Sequence, residues 1–160
     1  VYPKDAANIV TMGDIHPGAR VIEAGVGSGG LSMYLLRAIG PTGQLTSFER
    51  RADFAEIAQA NVTTAFGSRP KNWDVVVGSF ETSVEQHIKP GSIDRIVLDM
   101  LAPWECIEAI CYALAPGGVL TCYVETVPQL CRVAEDLSSN QQSHQVGLQS
   151  ATSKLIAKRK

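Results

Sequence analysis

The chain has no C-x-x-C pair among its four cysteines, no long apolar run, no surplus of charge of one sign and no low-complexity tract. Cys106, Cys111, Cys122 and Cys131 stand without histidines at metal-ligand spacing, so no metal site is implied. Three of them sit in apolar stretches, the pattern of buried free thiols in a reducing cytosol. No apolar run approaches the roughly 18 residues that a membrane helix needs. The opening VYPKDAANIV has no basic region leading into an apolar one, so no secretory signal is visible. Its start without methionine suggests a piece of a longer protein. With 14 basic and 16 acidic side chains the formal net charge is −2. That argues against a protein that coats nucleic acid through bulk positive charge, but leaves room for a local basic patch.

What is present is the composition of one globular domain, 160 residues with 45% hydrophobic and 19% charged side chains, long enough for a single sizeable core. Short β-branched runs alternate with segments of helical period, the pattern of a parallel sheet covered on both faces. The expected strands are residues 20–24, 44–48, 74–78, 94–98 and 118–124. The expected helices are 29–39, 52–65, 103–114 and 127–137. Leu31, Leu35, Ala38 and Ile39 share one face of the first helix, and GPTGQ and APGGV read as turns. The tail HQVGLQSATSKLIAKRK has two apolar-containing runs and no helix between them, which reads as an antiparallel closing hairpin. The expected fold is therefore α/β: a Rossmann-like, mostly parallel twisted sheet with helices on both faces and a C-terminal antiparallel hairpin. That layout resembles class I S-adenosylmethionine-dependent methyltransferases, whereas a dinucleotide-binding domain would more often continue with a sixth parallel strand.

The loop VIEAGVGSGG fits two cofactors. Gly25, Gly27 and Gly30 satisfy the dinucleotide fingerprint G-x-G-x-x-G, with Glu49 about twenty residues on. Glu23, Gly25, Gly27 and Gly29 equally satisfy E-x-G-x-G-x-G. In both readings the glycines let the backbone approach the ligand, and Glu49 can accept both ribose hydroxyls. Glu23 discriminates. Close to a pyrophosphate it would add like-charge repulsion to desolvation, whereas the ammonium and sulfonium of S-adenosylmethionine favour a nearby carboxylate. The plainer alternative is that Glu23 pins the loop through backbone amides.

DRIVLDMLAPWE places Asp99 at the carboxyl end of the fourth strand, where ligands bind in open α/β sheets. Pro103 and Trp104 follow and start a helix. The order is similar to the D-P-P-Y type motifs of amino-directed nucleic-acid methyltransferases, in which a carboxylate accepts from an exocyclic amine beside an aromatic or apolar wall. The alternative makes Asp99 an N-cap and Trp104 a core residue, with Pro103 in its ordinary place at a helix start.

Taken in order, YPKDAANIV, GARVIEAGVGSGGLS, GPTGQLTSFERRADFAEIAQANV, NWDVVV, DRIVLDMLAPWE and GGVLTCYVETVPQL resemble the catalytic domain of the tRNA adenine-58 N1-methyltransferases of the bacterial and archaeal homotetrameric type. The resemblance implies residues 1–160 as a methyltransferase domain, S-adenosylmethionine as cofactor, tRNA as partner, a tetramer, the cytoplasm and no membrane. It implies that Ser28, Gly29, Gly30 and Leu31 line the methionine portion of the cofactor and that Glu49 holds its ribose. Asp99 would face both cofactor and substrate adenine, with Thr126 and Gln129 near the pocket mouth. The sequence departs from the family at four places. A small β-rich N-terminal domain is missing ahead of YPKDAA, and the tail is short. Ser79 stands where the family has an aspartate beside the cofactor adenine, and Phe54 where a histidine is frequent. Arg50, Arg51, Arg69, Lys71, Lys154, Lys158, Arg159 and Lys160 are the candidates for phosphate contacts, and no histidine is assigned a role. Other readings are a methyltransferase for a protein or small-molecule acceptor, a catalytically weak binding subunit, and an NAD-dependent oxidoreductase. The last would need a hydride-site histidine, lysine or tyrosine that cannot be placed.

Overall fold

A computed structural model describes residues 1–143 and 152–157. The strands are Arg20–Ala24 (β1), Gln44–Glu49 (β2), Trp73–Val77 (β3), Ile93–Asp99 (β4), Leu114–Val124 (β5) and Thr152–Ala157 (β6). The helices are Pro3–Met12 (α1), Gly30–Ile39 (α2), Ala52–Phe66 (α3), Phe80–His87 (α4), Ile107–Ala113 (α5) and Val127–Ser143 (α6), with a 3-10 turn at Pro103–Cys106. The strands form one sheet in the order β3-β2-β1-β4-β5-β6, parallel at every pairing.

Strand side chains alternate between the two faces, and both faces are covered. Val21, Leu45, Val97 and Tyr123 pack with residues of α1, α2 and α3. Ile22, Phe48, Leu98 and Cys122 pack with residues of α4, α5 and α6 on the opposite face. Burial on both sides accounts for adjacent apolar pairs such as Val21–Ile22 and Val97–Leu98, one side chain to each face. Sequence order along the sheet reverses between β1 and β4, so a crevice opens beyond their carboxyl ends.

Two helices go beyond the sequence expectation. α1 buries only Asp5, Ala6 and Ile9, and α4 only Phe80 and Val84; neither has the broad apolar stripe that announces a helix. The helix expected over residues 103–114 is interrupted, because Cys106 at φ −96° and ψ 5° lies off helical values. β5 starts earlier than expected. Ile93 pairs with Leu114 and Arg95 with Val119, so two steps along β4 answer five along β5 and the APGG segment bulges out. Of the expected closing hairpin, the first run lies outside the described residues. The second forms β6, which runs parallel to β5, and no antiparallel pair occurs among the described residues.

Candidate functional site

The loop between β1 and α2 is held by close backbone approach. Gly25 has φ +92°, and a Cβ there would stand 1.9 Å from the main-chain oxygen of Asp99. Only glycine fits between the ends of β1 and β4. Gly29, left-handed at φ 83°, precedes α2 and faces the Ala58 carbonyl of α3. Asn61 of α3 donates to the Ser28 carbonyl at 3.0 Å, which ties the exposed loop tip to the helix beside it.

Glu49 closes β2 and reaches across to that loop. Its Oε2 accepts from the Gly27 amide at 3.1 Å, and its Oε1 accepts from the Arg51 amide at 3.1 Å and from Arg51 Nε at 3.3 Å. Burial alone would raise its pKa, but these donors and the Arg51 charge hold it below the ordinary carboxylate value. It is an ionised acceptor. The Arg51 guanidinium in turn stacks on the Phe54 ring, 3.5 Å from its centroid, so Phe54 supports Glu49 through Arg51.

Glu23 lies one layer deeper, with no exposed surface. Its Oε2 accepts from the hydroxyls of Ser32 and Ser47, each at 2.7 Å, and Trp73 Nε1 donates to the Ser47 oxygen at 2.9 Å. Its Oε1 is buried and has no partner. Burial pushes its pKa up to about 7; the serine hydroxyls oppose this, and the neighbouring Asp99 and Glu49 charges add to it. Glu23 is thus held by side-chain hydroxyls, not by the backbone amides that a simple loop pin would use.

Asp99 ends β4 opposite Tyr123 of β5. Tyr123 donates its hydroxyl proton to Asp5 of α1 at 3.0 Å, which joins α1 to this end of the sheet. Burial, the Asp5 bond and the nearby Asp5, Asp99 and Glu125 charges all raise the Tyr123 pKa, so it stays a neutral donor.

Beyond these strand ends lies a cavity of about 440 Å³, whose lining includes Gly25, Gly27, Glu49, Arg51, Ser79 and Asp99. Sequence reasoning singles out all six, although it takes Arg51 only as a phosphate contact; its place two residues after Glu49 is the signal for its second role. Ser28, Gly29, Gly30 and Leu31 lie on the adjoining loop and first turn of α2, outside the lining, and the Leu31 side chain is in the core. Ser79 precedes α4, with its oxygen 2.7 Å from the Thr82 hydroxyl. Trp104 does not line this cavity. It packs partly buried against the core, with the Arg132 guanidinium 4.2 Å from its ring centroid. Arg50 pairs with Glu81. Arg69 and Lys71 sit on the connection entering β3, at the end of the sheet opposite the cavity. Lys154 falls on β6, and Lys158, Arg159 and Lys160 lie outside the described residues. Among the described residues there is no group of His, Cys, Asp and Glu able to hold a metal, and no helix long and apolar enough to cross a membrane.

Comparison with known proteins bears on the fold and on the family. The solved structure of an S-adenosylmethionine-dependent O-methyltransferase from Thermotoga maritima superposes with a TM-score of 0.76 at 31% identity, covering 87% of this chain and 50% of that one. A protein-L-isoaspartate O-methyltransferase structure, at 23% identity, shares the fold with a TM-score of 0.65 over 76% of this chain and 36% of its own. The fold is that of class I S-adenosylmethionine-dependent methyltransferases. In sequence, tRNA (adenine(58)-N(1))-methyltransferase TrmI of Thermus thermophilus is 37% identical over 137 residues, 84% of this chain and 52% of that protein. The Methanocaldococcus jannaschii tRNA (adenine(57)-N(1)/adenine(58)-N(1))-methyltransferase TrmI is 30% identical over 86% of this chain and 56% of its own length. The chain thus spans about half the length of these curated relatives. The family model of the tRNA methyltransferase complex GCD14 subunit matches residues 1–153. A family match that runs over nearly the whole sequence places the chain in the GCD14 tRNA methyltransferase family.

Proposed function

We propose that residues 1–160 are the catalytic domain of an S-adenosylmethionine-dependent tRNA methyltransferase that acts on N1 of adenine-58. The observation that carries this reading is the meeting of Asp99, the Gly25–Gly27 loop and Glu49 at one cavity. The residues present suit the methyl donor. Gly25 leaves a cradle with no room for a side chain, Glu49 is an ionised acceptor that would hold the ribose hydroxyls, and Glu23 keeps one buried oxygen without a partner beneath the loop. Three carboxylates and a glycine loop suit a cationic ligand better than a pyrophosphate.

When bound, S-adenosylmethionine supplies a methyl carbon on a positively charged sulfur. The protein's task is to orient the acceptor and to meet the charge that moves onto it. Adenine N1 carries an in-plane lone pair, so no proton has to leave before attack. Transfer makes the base cationic. Asp99 accepts from the exocyclic N6–H, fixes the ring and stabilises the developing positive charge, without acting as an obligatory base. Adenine-58 has to leave its stack to reach the cavity, at an unstacking cost of about a few kcal/mol. The same reading makes the protein a cytoplasmic homotetramer, supported by the family resemblance, and sedimentation would measure that assembly.

The test is transfer of labelled methyl from S-adenosylmethionine to a tRNA transcript, beside one with guanine at position 58. Label in the first alone is expected. Equal label in both would refute the site assignment.

A further inference from the structure

Beyond the ends of β4 and β5 two large apolar side chains are left open by the packing. Leu101 is 72% exposed and Val127 65%, and Leu101 lines the cavity two residues beyond Asp99. One side chain joins the two segments. Gln129 Oε1 accepts from the amides of Glu125 at 3.2 Å and Thr126 at 3.0 Å and from the Thr126 hydroxyl at 2.9 Å. Thr126 Oγ1 in return accepts from the Gln129 amide at 3.4 Å. This is a capping box for α6. The other half of the same amide has no part in capping: Gln129 Nε2 donates to the Leu101 carbonyl at 2.9 Å. It fixes the main chain of the loop after β4 at the residue whose side chain stands at the cavity mouth.

A base taken out of its stack needs a flat apolar contact to replace the one it leaves. The aromatic residue in the motif, Trp104, is engaged elsewhere, and Leu101 is the large apolar group beside Asp99 that is open to solvent. We propose that Leu101 is the wall against which the acceptor base lies, and that Gln129 is the positioning residue that holds this wall beside Asp99. The inference rests on the reaction proposed above.

Two variants separate positioning from support of the fold. Gln129→Glu keeps an acceptor for the Glu125 and Thr126 amides, so α6 stays capped, but sets a carboxylate oxygen against the Leu101 carbonyl. Leu101→Ala removes an exposed side chain, so it does not act through lost core packing. Both are expected to keep wild-type donor affinity by calorimetry and a melting temperature within about 2 °C of wild type. Both should lower kcat/KM for the tRNA transcript about tenfold or more. Leu101→Met, which restores apolar area, should recover most of the loss. If both variants keep wild-type kcat/KM, this inference is overturned and the reaction stands. A wild-type chain that binds the donor but methylates no transcript overturns the reaction, and this inference with it.

Discussion

Glu23 has one oxygen held by two serine hydroxyls and the other buried with no partner, and the charges that act on it are those of Asp99 and Glu49. Its pKa is raised from 4.5 to about 7. Between those values the folded chain keeps a proton that the unfolded chain has lost, so ionising Glu23 works against folding. Its contribution to stability is present at acid pH and is lost as pH rises through about 7. Glu23→Gln stays neutral and does not take this loss. In the absence of donor, its stability relative to wild type should rise by on the order of 3 kcal/mol between about pH 5 and pH 8. Denaturant titrations of both proteins at the two pH values would read this, and a constant difference would contradict it. A donor that brings positive charge to the loop would favour the ionised form, so the residue that weakens the empty fold suits the loaded one.

The contact between α1 and β5 passes through one buried hydrogen bond, Tyr123 to Asp5, beside the packing of Ala6 and Ile9. Tyr123→Phe leaves a carboxylate oxygen without its donor and should cost about 1–3 kcal/mol, read as a lower denaturant midpoint at unchanged slope. A midpoint equal to wild type would show that this bond does not hold α1. The elements themselves are unevenly legible in the sequence. β4 stands out because burial on both faces gives the apolar run Ile96, Val97 and Leu98, β1 and β2 because each is followed by turn or helix signals, and α2 because its apolar stripe is wide. α1 and α4 are hidden by having few buried apolar side chains each. The bulge in β5 comes from pairing with β4, which no local pattern contains. At the site, Gly25, Glu49 and Asp99 are readable because their place follows from strand ends alone. The serine partners of Glu23 and the bond from Gln129 to Leu101 span 9, 24 and 28 residues, and only the folded chain brings them together.

Taken whole, the chain spans about half the length of its curated relatives, and that half contains the crevice at the reversal of strand order. The two faces of the sheet supply its parts differently. The α1, α2 and α3 side carries the row Glu49, Gly25 and Asp99 with Tyr123 beyond, while Phe80 lines the cavity from the opposite core. In the proposed reaction Asp99 acts on the acceptor, and donor binding is left to the glycine loop and Glu49. Single-turnover methyl transfer to tRNA by Asp99→Ala, with donor saturating, tests this division of roles. Donor affinity should stay largely intact while the rate falls about a hundredfold or more below wild type. A rate within about threefold of wild type would contradict it.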